Sequence, residues 1–201
     1  PEIYLNNGLG WTDVSSTWVF PNKAWTSGTE VFLDGTYQDE GVRVLDVNGD
    51  GMDDLLRGNC SPGCKYTYLN NEDTSANLLT EIVYPGGGDT DIAYKATPLF
   101  RNGSTLLNPN MPIVSHVVSQ IINNDGLGLA NTVNYSYEGG RYYFGSYLDR
   151  KFAGFNKVTS TNAVGTKSIS YFHQGDSSDS SNGEYLDHGS KIGHVYRSEV
   201  R

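Results

Sequence analysis

An all-β fold is predicted by three observations. The chain of 201 residues holds 24 Gly and 14 Tyr but only 2 Met, and Ser, Thr, Asn and Val are common. Such residues favour strands and tight turns over helices. No long apolar stripe at helical spacing appears. Short β-rich runs are instead separated by turn formers such as Pro85-Gly86-Gly87-Gly88. The net charge of −9 and the lack of a basic run argue against nucleic acid as a partner. No apolar run reaches the length of a membrane span.

The first region runs over residues 1–77. Tyr4-Leu5-Asn6-Asn7 recurs as Tyr68-Leu69-Asn70-Asn71, a weak internal repeat. A unit of this kind stacks on neighbours, because one alone cannot bury both faces. Trp11, Trp18 and Trp25, with Phe20 and Phe32 nearby, are expected in a core between stacked units. A carbohydrate-stacking platform is the alternative.

Between the two copies lies Asp46-Val47-Asn48-Gly49-Asp50-Gly51-Met52-Asp53-Asp54-Leu55. Asp46, Asn48, Asp50 and Asp54 place side-chain oxygens at loop positions 1, 3, 5 and 9, and Met52 offers its carbonyl. Hard oxygens converging in one short turn suit Ca²⁺. Gly49 and Gly51 permit the positive φ angles of a tight loop. Without a cation the three carboxylates would repel one another. An EF-hand needs a bidentate Glu at position 12, where this chain has Arg57, and it needs flanking helices. Gly41 to Leu45 and Leu55 to Arg57 read as short strands instead. The carboxylate at position 9 followed by Leu55 resembles the calcium loop of FG-GAP/VCBS-type blades of β-propellers.

Both cysteines fall in Cys60-Ser61-Pro62-Gly63-Cys64. A Pro-Gly turn brings the sulfurs within bonding reach. The expectation is a disulfide, ahead of a free thiol pair and a zinc half-site that lacks a second pair of ligands. A disulfide would fit an exported protein.

The second region covers residues 78–201. Leu79 to Tyr84 and Asp91 to Ala96 read as a hairpin around Pro85 to Gly88. Pro98 to Pro112 reads as a polar loop. Ile113 to Ile122 and Asn131 to Tyr137 read as strands joined by a turn at Asn123 to Gly128; Asp125-Gly126 there lacks the ordered carboxylates of a metal loop. Glu138-Gly139-Gly140 reads as a further turn before Arg141 to Phe144. Phe155 to Thr161 is expected to pair with Lys167 to Phe172 across Asn162 to Gly165. Gly175 to Gly183 reads as a loop too polar to pack, and Ile192 to Val200 as a last strand.

These residues resemble a known family. Leu78 to Ile82, Tyr84-Pro85-Gly86-Gly87 and Ile92 to Lys95 are similar to the hairpin that opens the Rhs/YD-repeat shell of Tc-toxin B-component and SpvB-like proteins. Tyr135-Ser136-Tyr137-Glu138-Gly139-Gly140 and then Arg150-Lys151-Phe152-Ala153-Gly154-Phe155 resemble that family's Tyr-rich strand and Arg-x-Phe-x-Gly-Phe element. Tyr171 to Gly175 and Gly193 to Glu199 continue the likeness. Ala153 and Asn156 depart from it, which implies a different surface contact there, while the Phe152/Phe155 packing pair remains. The resemblance implies the last blade of a β-propeller running into the first antiparallel strands of a large β-shell. In the toxins that shell encloses a C-terminal effector.

No convincing active site stands in the sequence. His116, His173, His188 and His194 have neither zinc-binding nor triad spacing. His173 beside Gln174 and Asp176 could act as a base with an orienting partner, but a strand-end histidine is the expected reading. The Glu-x-Glu signature of the family's ADP-ribosyltransferases is absent. The expected function is therefore a non-catalytic structural segment of a large secreted or surface toxin-like protein, with a structural calcium site. Its partners would be the rest of its own longer chain and further subunits. The alternative is a calcium-stabilised binding module for a receptor or glycan. An enzyme with paired carboxylates is a distant third.

Overall fold

The computed structural model describes residues 4–6, 9–16, 41–58, 66–70, 78–176, 179–185 and 187–201. Cys60 and Cys64, along with Trp18, Phe20, Trp25 and Phe32, lie outside the described residues. The chain divides into two units, one of residues 1–48 and 52–73 and the other of residues 49–51 and 74–201.

The first unit holds two small antiparallel sheets. Strand β1 (Tyr4–Asn6) pairs with β2 (Trp11–Asp13). Strands β3 (Val42–Leu45), β4 (Asp54–Arg57) and β5 (Tyr66–Tyr68) form the other, in that order. The register sets Leu45 opposite Asp54, so the acidic loop is the connection of a hairpin. The short strands expected on either side of it are present. Trp11 is 69% exposed, so it is not core within this unit. The two Tyr-Leu-Asn-Asn copies are not equivalent. Tyr4 opens β1, whereas Tyr68 closes β5 and Asn70 turns its N–H onto Asp54.

The second unit is dominated by one antiparallel sheet of seven strands: β6 (Glu81–Val83), β7 (Asp89–Ala96), β10 (His116–Asn124), β11 (Ala130–Phe144), β12 (Arg150–Asn162), β13 (Lys167–Phe172) and β14 (Val195–Val200). Their order is β14-β13-β12-β11-β10-β7-β6. Neighbours in space are neighbours in sequence apart from the short insertion between β7 and β10, as hairpin turns require. Asn162 makes one of these turns. Its side-chain oxygen accepts from Val164 and Thr166, and Thr161 then faces Lys167 as expected. At the β10–β11 turn the carboxylate of Asp125 accepts the N–H groups of Leu127 and Leu129. These bonds to the charged form hold its pKa below the ordinary aspartate value.

Two expected loops are more structured than their composition implies. The segment after β7 forms a 3₁₀ turn (Thr97–Leu99) and a tiny hairpin of β8 (Arg101–Asn102) and β9 (Thr105–Leu106). It buries Phe100, whose ring meets Tyr137 edge-on at 5.5 Å. Asn108 follows, buried, donating to the carbonyls of Thr97 and Tyr137 and accepting from Gly140 N–H. Glu138-Gly139-Gly140 is not a turn, because β11 runs straight through it. Glycine pairs suit chain reversals, but here their small size admits neighbours. A Cβ on Gly140 would stand 2.8 Å from Met111 Sδ and 3.0 Å from the Phe155 ring.

The partner strand explains the Phe-x-Gly-Phe element. Gly140 faces Phe155 and Tyr142 faces Phe152, so β12 carries one extra residue here. Gly154, at φ 76°, takes the left-handed conformation that such a bulge requires. In a regular strand, residues three apart point to opposite faces. The extra residue returns Phe152 and Phe155 to the same face, where their rings meet edge-on at 5.6 Å. The expected pair is therefore formed. Ala153 is 1% exposed, so the departure at that position lies inside, where a small residue fits, and not in a surface contact.

Candidate functional site

Beyond β13 the chain leaves the sheet with His173, held by two main-chain bonds: its N–H donates to the His194 carbonyl, and its carbonyl accepts from Gly193. Gln174 is buried and spans the β11–β12 irregularity. Its side-chain amide donates to the carbonyls of Gly139 at 2.7 Å and Gly154 at 3.0 Å. A bulge interrupts the ladder and leaves such carbonyls without strand partners; Gln174 supplies them.

The loop that follows is polar and nonetheless packed. Asp187 Oδ2 accepts three successive N–H groups, from Gln174 (3.0 Å), Gly175 (2.7 Å) and Asp176 (2.8 Å). Consecutive amides turned inward form an anion-binding nest. Gly175, at φ 84°, permits the turn. Glu184 Oε2 accepts the Asp179 N–H, and the Asp179 carboxylate accepts from Asn182 and from the Tyr196 hydroxyl. Tyr196 is the extra residue where β14 slips register against β13, and the tilted rings of Tyr196 and His173 lie 5.0 Å apart. Arg141 pairs with Asp176 from β11. The expectation of a loop too polar to pack is thus corrected: main-chain N–H groups, the Asn182 amide and the Tyr196 hydroxyl each bond one of its carboxylate oxygens, which offsets part of the cost of burial.

The remaining oxygens of Asp187 and Glu184 converge on one histidine nitrogen. His173 Nδ1 lies 3.1 Å from Asp187 Oδ1 and 3.5 Å from Glu184 Oε1. The three side chains are 10%, 0% and 2% exposed in the order His173, Asp187, Glu184. Burial and the neighbouring Asp187 carboxylate push the Glu184 carboxyl up to about 7, against the opposing pull of the Asp179 N–H. Burial and the bond to Asp179 likewise raise the Tyr196 phenol. Two carboxylates and an imidazole in this arrangement can share a proton or hold a cation.

The residues singled out in sequence fare differently. Gly49 and Gly51 adopt φ angles of 78° and 87°, as the acidic loop demands. Asp54 is 1% exposed. Its oxygens accept the Val47 N–H at 3.0 Å and the Asn70 N–H at 2.7 Å. Asp46, Asp50 and Met52 are half-buried and Asn48 is exposed. Among the described residues, His173, Glu184 and Asp187 are the set of three acid or imidazole groups with all ligand atoms within 4.8 Å of one another; Asp46, Asp50 and Asp54 do not form such a set. His173 was legible as a candidate, but its partners are Asp187 and Glu184 rather than Gln174 and Asp176. The available signal was a histidine with two carboxylates spaced along one polar stretch, whose convergence depends on the path of the loop.

The model of the insecticide toxin TcdB middle/N-terminal region matches residues 21–176, more than half of the chain. The chain belongs to this family. No curated protein matches it. A solved structure described as the crystal structure of TcdB2-TccC3-TEV is similar, with a TM-score of 0.54 at 20% identity. The likeness covers 72% of this chain and 8% of the other, and it concerns the fold. The nearly all-β, antiparallel architecture agrees with this TcdB-like membership. Among the described residues no helix is long and apolar enough to cross a membrane.

Proposed function

We propose that this TcdB-like segment is a non-catalytic structural part of a large secreted or surface toxin component. In this reading residues 1–77 contribute an FG-GAP/VCBS-like propeller blade, and residues 78–201 begin an Rhs/YD-type β-shell. The observation that carries the reading is the seven-stranded sheet itself. Among the described residues it ends in open edges at β6 and β14, and it leaves Val83, Phe144, Leu148, Val164 and Val200 exposed. Open edges and scattered apolar side chains suit a wall that further strands of the same chain or other subunits extend.

A structural Ca²⁺ belongs to the same reading. Asp46, Asn48, Asp50 and Asp54 would offer side-chain oxygens and Met52 its carbonyl. The donor chemistry fits a hard cation. The left-handed glycines and the buried, amide-anchored Asp54 support a loop built around that carboxylate. The ion would cross-link the turn. Of the residues flanking the loop, Leu45 is 39% exposed and Leu55 is half-buried.

Residues 1–201 expressed alone should associate through the open edges, seen as mass above the monomer by size exclusion with light scattering. A monodisperse monomer that melts cooperatively would count against the structural reading. A second reading, a binding module, draws on Tyr4 and Trp11, which are exposed on the β1–β2 hairpin. Glycan-array binding lost in Trp11→Ala would favour it.

A further inference from the structure

We propose that His173, Glu184 and Asp187 form a binding site for one divalent first-row transition ion, with Zn²⁺ as its occupant. The site is separate from the acidic loop and does not depend on calcium binding there.

Geometry is the first argument. Ligand atoms around a tetrahedral Zn²⁺ at about 2.0–2.1 Å lie about 3.3 Å apart. His173 Nδ1 is 3.1 Å from one carboxylate oxygen and 3.5 Å from the other. The second argument is an independent one. His173 Nδ1 and Asp187 Oδ1 are buried without a hydrogen-bond partner, although they face each other. Buried polar atoms are normally paired, and two such atoms 3.1 Å apart that make no hydrogen bond would both be satisfied by one cation beside them. Thirdly, the outer contacts are those that orient metal ligands. Each carboxylate has one oxygen fixed by main-chain N–H groups, three on Asp187 and one on Glu184, and turns the other toward His173.

The donor set selects the class of ion. An imidazole nitrogen favours Zn²⁺ and its neighbours over Ca²⁺ and Mg²⁺, which prefer oxygen alone. Two carboxylates and a neutral imidazole balance a divalent charge. The role is structural. The ion would clamp the start of the loop to its middle and so hold Gln174 across the two strands it bridges.

The test uses the full-length protein, freed of metal by chelator and titrated with ZnCl₂ by calorimetry, with CoCl₂ as a spectroscopic probe. One equivalent of Zn²⁺ should bind per chain in excess of that bound by the His173→Gln/Glu184→Gln double variant. Each single variant should weaken that equivalent at least about tenfold. Co²⁺ should give visible d–d bands that the double variant lacks, and excess Ca²⁺ should not displace it. Glu184→Gln keeps an oxygen for the Asp179 N–H, so far-ultraviolet circular dichroism should match the unmutated protein. Equal Zn²⁺ stoichiometry and affinity in the unmutated protein and the folded double variant would overturn the site. Displacement of Co²⁺ by Ca²⁺ would overturn the assignment to a transition ion.

Discussion

Asp46, Asn48, Asp50 and Asp54 come from a single hairpin loop, whereas His173, Glu184 and Asp187 are gathered from the start and the interior of a longer excursion between β13 and β14. In the hairpin loop only Asp54 is fully buried, and both of its oxygens already accept N–H groups. In the excursion each carboxylate is anchored through one oxygen and leaves the other pointing inward. The difference lies in where the organising energy comes from. A short acidic loop would gain from a cation that offsets repulsion among its carboxylates, as proposed above. The buried cluster is already ordered by main-chain amides, which act as a fixed positive lining.

The sharpest way to break this comparison is Asp187→Ala, measured in chelator so that no metal contributes. Three part-buried amides lose a charged acceptor. Urea unfolding of the full-length protein should show a loss on the order of 3 kcal/mol. A loss below about 1 kcal/mol would mean that the amides find other partners and that the lining is not fixed.

The hairpin loop should respond to calcium instead. At a free Ca²⁺ concentration of about 100 times Kd, mass action adds roughly 2.7 kcal/mol, read as a rise in Tm over the chelated protein. Asp50→Ala should abolish this gain, and Asp53→Ala, at an exposed position outside the ligand set, should keep it. If both variants respond as the unmutated protein does, the loop is only a turn.

Asp125 sharpens the contrast from the weak end, since it anchors two amides while fully exposed. Its folded pKa lies below the ordinary 3.8. Its contribution is therefore fully present above that value and is lost as pH falls through the lower folded one. The Leu127 and Leu129 amides should lose hydrogen-exchange protection, beyond the intrinsic pH trend, between roughly pH 5 and pH 2. Asp125→Ala should remove that pH dependence.

The parts legible in sequence were those encoded by near neighbours. Alternation and turn residues located β7, β10, β12, β13 and β14, and the Asx-type turn at Asn162 set the β12–β13 register. The acidic loop announced itself because its candidate ligands share one turn. Gly139-Gly140 misled because glycine serves both reversal and close packing, and only the neighbours Met111 and Phe155 decide between them. The stretch after Gly175 misled because polarity predicts exposure only when no amides are available to receive the carboxylates. The partners of His173 were hidden for the same reason: Asp187 reaches it only after the loop has closed on itself.

The extra residue at Gly154 works as a change of parity. Along any strand the side chains alternate between two faces, so counting from one end assigns every residue a side. The bulge shifts that count by one, and residues on either side of it obey opposite parity. Tyr143 pairs with Lys151 beyond the shift, and its ring lies where a Cβ on Gly175 or Gly189 would stand, beneath the loop that carries the buried cluster. Removing one residue from Phe152 to Phe155 would restore the simple count. It would also turn the Lys151 end of the strand over relative to the Val158 end, with every side chain still present and each facing the wrong way. Here the number of residues between two points carries information that their identities do not.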